Sequence, residues 1–156
     1  MFLLKRDLSR LDLKDYITYN QLEIQHVRFL KGIKNMKQKI LIVEDEALGA
    51  MGLMELLEMW DYETCGPAHT GADAVRMEDD CQPDAILMDV RIRGGMNGIE
   101  AARRIRGKRD VPIIFLSGYL EEVVEEMGQM SSIEFLNKPV DHNLLKETLK
   151  KILPAA

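Results

Sequence analysis

After residue 38, two patterns of apolar and polar residues alternate along the chain. Short apolar runs, such as Lys39-Ile-Leu-Ile-Val43, predict buried strands, and longer stretches with apolar residues three and four apart predict amphipathic helices. Strands are predicted at 39–43, 62–68, 84–88, 111–116 and 132–136, and helices at 47–60, 70–80, 99–106, 119–128 and 141–153. A strand followed by a helix, repeated five times, predicts an α/β fold whose parallel sheet is covered by helices on both faces.

Specific residues support this assignment of helices and turns. Asp61 is expected to end the first helix in a left-handed conformation, and Thr70 is expected to cap the second. The first and last helices are predicted to bury one face each, formed by Leu48, Met51, Leu53, Met54, Leu57 and Met59 in the first and by Leu144, Leu145, Leu149 and Ile152 in the last.

Length and charge narrow the possible functions. A chain of 156 residues fits one compact domain with some length to spare. Residues 1–38 hold eight Lys/Arg and four Asp/Glu, whereas the remainder holds thirteen and twenty-two. An acidic main domain argues against direct binding of nucleic acid. No signal-peptide layout and no stretch long enough to span a membrane is visible, so no membrane partner is expected.

The chain has two cysteines, Cys65 and Cys81, which form neither a disulfide framework nor a zinc motif by their spacing. Each is interpreted as a small, partly buried apolar residue. Free cysteines are typical of a reducing compartment, and we therefore expect a cytoplasmic protein.

Polar side chains follow four of the five predicted strands. Glu44 and Asp45 follow the first strand, Asp89 the third, Ser117 the fourth and Lys138 the fifth. Each has an ordinary structural explanation when taken alone, such as a helix cap, a turn residue or a solvated lysine. Because the carboxyl ends of parallel strands meet at one edge of a sheet, where α/β proteins bind ligands, the joint pattern indicates one site.

The residue types at this edge favour phosphoryl transfer to a carboxylate. Clustered carboxylates repel each other, and a hard divalent cation, Mg²⁺ or Mn²⁺, relieves that repulsion and neutralises a transferring phosphoryl group. Asp89 closes the most apolar strand and is the candidate nucleophile. Lys138 and Ser117 are candidates for contacts with phosphoryl oxygens. We also expect a cis peptide bond between Lys138 and Pro139, which would turn the lysine back over the strand ends.

From about residue 37 to residue 153 the sequence resembles the receiver domain of response regulators, the CheY-like phosphoacceptors of two-component phosphorelay signal transduction. The resemblance rests on Val43-Glu44-Asp45-Glu46, Leu87-Met88-Asp89-Val90, Leu116-Ser117-Gly118 and Asn137-Lys138-Pro139. It implies a flavodoxin-like three-layer sandwich with strand order 2-1-3-4-5. It also implies Mg²⁺ bound by Asp45, Asp89 and the backbone carbonyl of Arg91, with Glu44 acting through a metal-bound water.

The resemblance further implies how such a domain signals. Its phosphodonor is a histidine kinase or a phosphotransfer protein, and the domain promotes its own phosphorylation and dephosphorylation without being a separate enzyme. Ser117 and Phe135 match the switch positions, and the face formed by the fourth helix, fifth strand and fifth helix is expected to contact an unknown downstream protein or a second copy of the chain. The loop from Arg91 to Gly98 departs from the family pattern and is one residue longer.

Two other functions fit part of the pattern. A haloacid-dehalogenase-type phosphatase also uses a strand-end aspartate with Mg²⁺, but it needs a second aspartate at the position that Arg91 occupies here. A degenerate receiver would act only as a binding module, although all the key residue types are present. No output domain is visible after Leu153, so we expect a stand-alone receiver or a piece of a longer protein that signals through protein contacts.

Residues 1–37 form a predicted N-terminal extension to a receiver domain over residues 38–153. A stripe of apolar residues from Leu22 to Ile33 is typical of a helix that packs on a partner. Alternatively, Met36 is the natural start and the upstream residues are a mis-assigned start. His26 on this stripe is not expected to carry a phosphoryl group.

Overall fold

The computed structural model describes residues 37–118, 120–127 and 131–153. Five strands alternate with five helices within these residues. The strands are β1 (Lys39–Val43), β2 (Glu63–Ala68), β3 (Ala85–Asp89), β4 (Ile113–Ser117) and β5 (Ile133–Asn137), and the helices are α1 (Ala47–Met59), α2 (Gly71–Cys81), α3 (Gly98–Arg106), α4 (Leu120–Met127) and α5 (His142–Ile152). Most of residues 1–37 lie outside the described residues, as do both ends of the predicted helix 119–128.

The strands form one parallel sheet in the order β2-β1-β3-β4-β5. Strands β3 and β4 are buried along their whole length, which explains their nearly continuous apolar sequences. One apolar core lies on the side of α2, α3 and α4, around Phe115, and the other lies on the side of α1 and α5, around Leu57. The predicted three-layer fold and strand order are therefore confirmed.

Local predictions at helix ends are also confirmed. Asp61 follows α1 with a φ of 68°, in the left-handed region. The Thr70 side chain accepts a hydrogen bond from the backbone N–H of Asp73 and so caps α2. The peptide bond between Lys138 and Pro139 is cis, as expected. Element boundaries differ from the predicted ones by one or two residues, because hydrophobic periodicity does not define the last turn of a helix.

The predicted apolar face of α1 is wrong in part. Ala50 and Leu57 face the sheet, with Leu53 and Met54 half-buried beside them. Leu48, Met51 and Met59 are exposed, at 79%, 56% and 79%. A helix that is apolar around most of its circumference buries only the stripe that contacts the sheet, and the period alone does not select that stripe.

The same error affects the last helix. Leu145 and Leu149 of α5 are buried and Ile152 is half-buried, as predicted, but Leu144 is 54% exposed. Leu144 precedes Leu145 by one residue, which corresponds to a rotation of about 100° around the helix, so both cannot face the sheet equally.

The interpretation of the cysteines as separate apolar residues is wrong. Cys65 in β2 and Cys81 at the end of α2 form a disulfide, with Cα atoms 6.6 Å apart. The helix returns antiparallel to its strand, which brings its last turn back beside the strand. The expectation of a reducing, cytoplasmic compartment rested on two free cysteines, and the bonded pair removes that support. None of the described helices is long and apolar enough to cross a membrane.

An ion pair with a buried carboxylate joins α2 to the segment that follows α3. The Glu78 side chain is only 2% exposed, and Arg109 Nε donates a hydrogen bond of 2.7 Å to it. Arg109 also donates to the backbone carbonyl of Pro83, at 2.5 Å. Next to this pair, Lys108 contacts Asp79 at 2.6 Å, but both of those side chains are about half exposed. A carboxylate as deeply buried as Glu78 requires its cationic partner, whereas an exposed one does not.

Candidate functional site

Asp89 is the last residue of β3 and lies at the carboxyl edge of the sheet, where its side chain is 10% exposed. Its Oδ1 accepts a hydrogen bond of 2.9 Å from the backbone N–H of Arg91, and its Oδ2 accepts one of 2.5 Å from Lys138 Nζ. Two donors on different oxygens fix the orientation of the carboxylate. Asp89 is therefore a positioned carboxylate that a reactant can reach only from the open edge.

Close backbone packing holds the loop that follows Asp89. Gly98, the first residue of α3, lies so near β3 that a Cβ added to it would be 2.1 Å from the backbone oxygen of Asp89. The Gly98 N–H donates to the carbonyl of Val90 at 3.0 Å. Only glycine permits this approach, which keeps the end of β3 and the start of α3 in contact.

The half-buried Lys138 joins the buried Glu44 to Asp89. Lys138 Nζ lies 2.6 Å from Glu44 Oε2 in addition to its contact with Asp89. Burial lowers the pKa of Lys138, but the hydrogen bonds to Asp89 and Glu44 raise it by more, so the net shift is upward from 10.5. Lys138 is therefore a permanent ammonium ion at neutral pH, shared between two carboxylates.

The three acidic residues predicted as metal ligands lie together. Glu44, Asp45 and Asp89 each offer a carboxylate oxygen, and these oxygens lie within 4.8 Å of one another. Clustered oxygen ligands beside a water-accessible edge suit Mg²⁺, which prefers one or two carboxylates and keeps several waters. The donor set therefore fits the expected divalent cation. Asp45 also contacts Arg93, whose Nε lies 3.0 Å from Asp45 Oδ2.

The remaining predicted site residues lie at the same edge or next to it. Ser117 ends β4, is 2% exposed, and its carbonyl accepts a hydrogen bond from the Lys138 N–H. Arg91 is exposed and lies two residues after Asp89. Phe135 is half-buried in β5, and its ring stacks on Phe115 with centroids 6.0 Å apart. Phe135 thus belongs to the core on the α3–α4 side and not to the acidic cluster.

Two residues at the site were not identified from the sequence. His69 directly follows β2, and its Nδ1 lies 2.9 Å from the carbonyl oxygen of Glu44. The same search for polar residues after strands identifies it when applied to the second strand. Arg93 lies within the loop that departs from the family pattern, and its contact with Asp45 depends on a loop conformation that no periodicity predicts.

A groove opens beside the acidic cluster, between α1 and the segment that follows β5. It is lined by Glu44, Glu46, Leu48, Gly49, Gly52, Leu53, Leu116, Lys138, Pro139, Val140 and His142. Leu48 is one of the exposed apolar residues of α1. The groove therefore places an apolar surface directly next to the polar end of Lys138.

Comparison with known proteins places these features in a family. The model of the response regulator receiver domain matches residues 40–150, inside the predicted range 38–153. The chain is 37% identical over 103 residues to the transcriptional regulatory protein PdtaR of Mycobacterium tuberculosis, covering 65% of this chain and 50% of that protein. It is 32% identical over 130 residues to a protein-glutamate methylesterase/protein-glutamine glutaminase of Pyrococcus abyssi, covering 77% of this chain and 35% of that protein. The chain thus spans about half or less of the length of these relatives.

A solved structure supports the same assignment. The signal receiver domain of a modulated diguanylate cyclase from Desulfovibrio desulfuricans is 31% identical, with a TM-score of 0.68, and the match covers 75% of this chain and 94% of that domain. The family match favours a phosphoacceptor receiver over a haloacid-dehalogenase-type phosphatase and over a degenerate binding module. The chain belongs to the response regulator receiver domain family.

Proposed function

We propose that Asp89 is the phosphoacceptor of this receiver domain. The observation that carries the proposal is the placement of Asp89 at the end of β3, with one oxygen held by the Arg91 N–H and the other by Lys138. An Asp89 carboxylate oxygen forms a bond to phosphorus while the bond between phosphorus and the donor's leaving atom breaks. The product is an aspartyl phosphate, and the donor leaves with the electron pair of the broken bond.

Glu44, Asp45, Asp89 and the backbone carbonyl of Arg91 are the proposed holders of Mg²⁺ or Mn²⁺. The clustered carboxylate oxygens support this assignment for the first three. When bound, the cation neutralises negative charge on the phosphoryl oxygens. Glu44 is the most buried of the three acids, at 4% exposed, and its Oε1 accepts a hydrogen bond from the Glu46 N–H. Its side chain is therefore oriented before any cation arrives.

Lys138 and Ser117 are the proposed contacts for the phosphoryl oxygens. Lys138 Nζ already lies within 2.5 Å of an Asp89 oxygen, so a phosphoryl group on that carboxylate arrives beside a fixed positive charge. The side chain of Ser117 lies at the end of β4, the strand next to β3. Ser117 is the last residue of β4 and Lys138 directly follows β5, and the Lys138 N–H donates a hydrogen bond to the Ser117 carbonyl, which holds the two residues next to each other.

The partner that supplies the phosphoryl group is proposed to be a histidine kinase or a phosphotransfer protein. The groove between α1 and the segment after β5 supports this, because its exposed apolar surface borders the acidic cluster. A protein that covers Leu48 and Val140 would bring its own phosphohistidine next to Asp89. Residues 38–153 are the proposed receiver domain, and residues 1–37 a proposed N-terminal extension.

Incubation with acetyl phosphate tests the proposed function directly. With Mg²⁺ we expect intact-mass analysis to show one phosphoryl adduct per chain, and with EDTA we expect none. Because an aspartyl phosphate is an acyl phosphate, hydroxylamine should remove the adduct. An adduct that forms equally well in EDTA, or that resists hydroxylamine, contradicts the proposal, since it would indicate a metal-independent reaction or a serine ester.

The proposed signalling surface is the face formed by α4, β5 and α5. A phosphoryl group adds roughly −1.5 to −2 charges beside Ser117, the last residue of β4, and Lys138, the residue that follows β5. Movement of Ser117 toward this group leaves space that Phe135 can enter. Phe135 has no hydroxyl group that could hydrogen-bond to water, so burial of its ring is favourable. The gain is at most a few kcal/mol. The surface would then bind a downstream protein or a second copy of the chain.

Amide chemical shifts with and without a phosphoryl mimic test this switch. We expect shifts in Leu120–Met127 and at Phe135, in addition to those close to Asp89. The stack of Phe135 on Phe115 gives a second signal, because movement of one ring changes the ring-current shifts of the other. Changes confined to the immediate surroundings of Asp89 would rule the switch out and leave Phe135 as a fixed core residue.

A further inference from the structure

We propose that Arg93 is a tethered counterion that competes with the divalent cation for Asp45 and thereby sets the metal affinity of the site. The inference rests on the proposed function, because it requires a cation site at the acidic cluster. Its starting point is the ion pair in which Arg93 Nε lies 3.0 Å from Asp45 Oδ2. A guanidinium group and a metal ion repel each other, so they compete when both contact the same carboxylate.

The two side chains of this pair differ in exposure. The Asp45 side chain is 16% exposed, whereas that of Arg93 is 82% exposed. The carboxylate therefore stays in the site while the guanidinium reaches it from solvent. Arg93 can leave Asp45 by a change of its own rotamer, without moving any buried group. This asymmetry is what a displaceable counterion needs.

The backbone of Arg93 is nevertheless held in place. Residue 93 forms a parallel β-bridge with Thr70, which is itself fixed as the N-cap of α2. Gly94 lies against the Thr70 side chain, at 3.6 Å from an added Cβ, and Gly71 packs on Met96 closely enough that an added Cβ would lie 2.6 Å from its backbone oxygen. The loop that departs from the family pattern is thus docked on the β2–α2 turn, and the guanidinium remains within reach of Asp45 after displacement.

Two cations contact the three carboxylates of the cluster in the described structure, so its negative charge is only partly neutralised. Lys138 contacts Glu44 and Asp89, and Arg93 contacts the third carboxylate, Asp45. All three acids of the cluster therefore have a cationic partner before a metal ion binds. A divalent cation on Asp45 would be repelled by the guanidinium on the same carboxylate, so metal binding and the Arg93 contact weaken each other.

The expected size of the effect follows from the exposure of Arg93. A largely exposed ion pair contributes little, so removal of Arg93 should tighten Mg²⁺ binding by about two- to fivefold. The test is calorimetric titration of the metal-free chain with MgCl₂ for the wild type, Arg93→Gln and Arg103→Gln. Arg103 is the matched control, because it also forms an exposed ion pair, at 2.9 Å to Glu126, and its loss removes the same charge.

Nuclear magnetic resonance gives a readout that does not depend on affinity. The side-chain Nε–H signal of Arg93 should shift during the Mg²⁺ titration with the same midpoint as the backbone amide of Asp89, and EDTA should reverse the shift. The Nε–H signal of Arg103 should stay constant. A direct contact predicts this coupling, whereas a general effect of charge on the metal does not.

The outcomes separate the inference from the proposed function. Tighter binding by Arg93→Gln alone, together with the Nε–H shift, supports the inference. If the wild type binds Mg²⁺ but Arg93→Gln binds it no more tightly, or Arg103→Gln gains as much, the inference is wrong and the metal site stands. If the wild type binds no Mg²⁺, or Asp45→Asn binds it as well as the wild type does, the proposed metal site and the inference are both wrong.

Discussion

Replacement of Asp89 by asparagine is expected to abolish phosphorylation by acetyl phosphate, with no adduct detectable by intact-mass analysis. The amide is not a nucleophile, and the substitution also removes one of the three carboxylate charges of the acidic cluster. The side chain keeps its size and its oxygen can still accept the Arg91 N–H. The loss should therefore be chemical, with an unchanged circular dichroism spectrum.

The matched control is Asp80→Asn, in the last turn of α2. The Asp80 side chain is 72% exposed and forms a 3.8 Å ion pair with Arg76. This variant should be phosphorylated as fast as the wild type. An undiminished, hydroxylamine-sensitive adduct on Asp89→Asn would contradict the assignment of Asp89 and direct attention to Asp45 or Glu44.

Replacement of Arg109 by alanine is expected to lower the free energy of unfolding by about 3–5 kcal/mol. The reason is the Glu78 carboxylate, which is 2% exposed and would be left buried without its Arg109 partner. The Pro83 carbonyl would lose its donor as well. Because Arg109 itself is 35% exposed, water can enter behind the alanine, so we expect the lower end of that range. Urea unfolding followed by circular dichroism at pH 7 measures the change.

Two further variants show whether the loss of stability comes from the Glu78 carboxylate that is left without its partner. Lys108→Ala removes the neighbouring ion pair, whose partner Asp79 is 49% exposed, and should cost at most about 1 kcal/mol. Adding Glu78→Leu to Arg109→Ala removes the buried charge and should recover part of the loss. If Arg109→Ala costs no more than Lys108→Ala, the Glu78 pair does not contribute as described.

The site was largely predictable because of a property of parallel sheets. Their carboxyl ends share one edge, so residues as far apart as Glu44 and Lys138 are brought together once the strands are recognised. The same reasoning could have found His69, which follows β2, but it could not have found Arg93. A loop has no period, and the contact of Arg93 with Asp45 depends on the bridge that residue 93 forms with Thr70.

The incorrect predictions have a common physical origin. Periodicity shows that a helix is amphipathic, but it does not show how wide the covered stripe is, so Leu48 and Leu144 were assigned to the core and are exposed. Likewise, Cys65 and Cys81 are 16 residues apart, a spacing that indicates nothing until the register of α2 against β2 is known. Each error concerns which residues of adjacent elements face each other, which is information that three-dimensional packing supplies.

The disulfide also affects how the sheet can open. Strand β2 is an edge strand with only β1 as a partner, the kind of element that usually exchanges its amide hydrogens early by local fraying. The bond between Cys65 and Cys81 closes a covalent ring around the turn that carries His69 and Thr70. While the bond is intact, β2 cannot separate far from α2, so the strand and the helix open as one cooperative unit. Because Thr70 bridges residue 93, this unit also supports the loop beside the acidic cluster. A thiol reductant would break the disulfide, so that β2 could fray independently of α2 and the loop would lose that support.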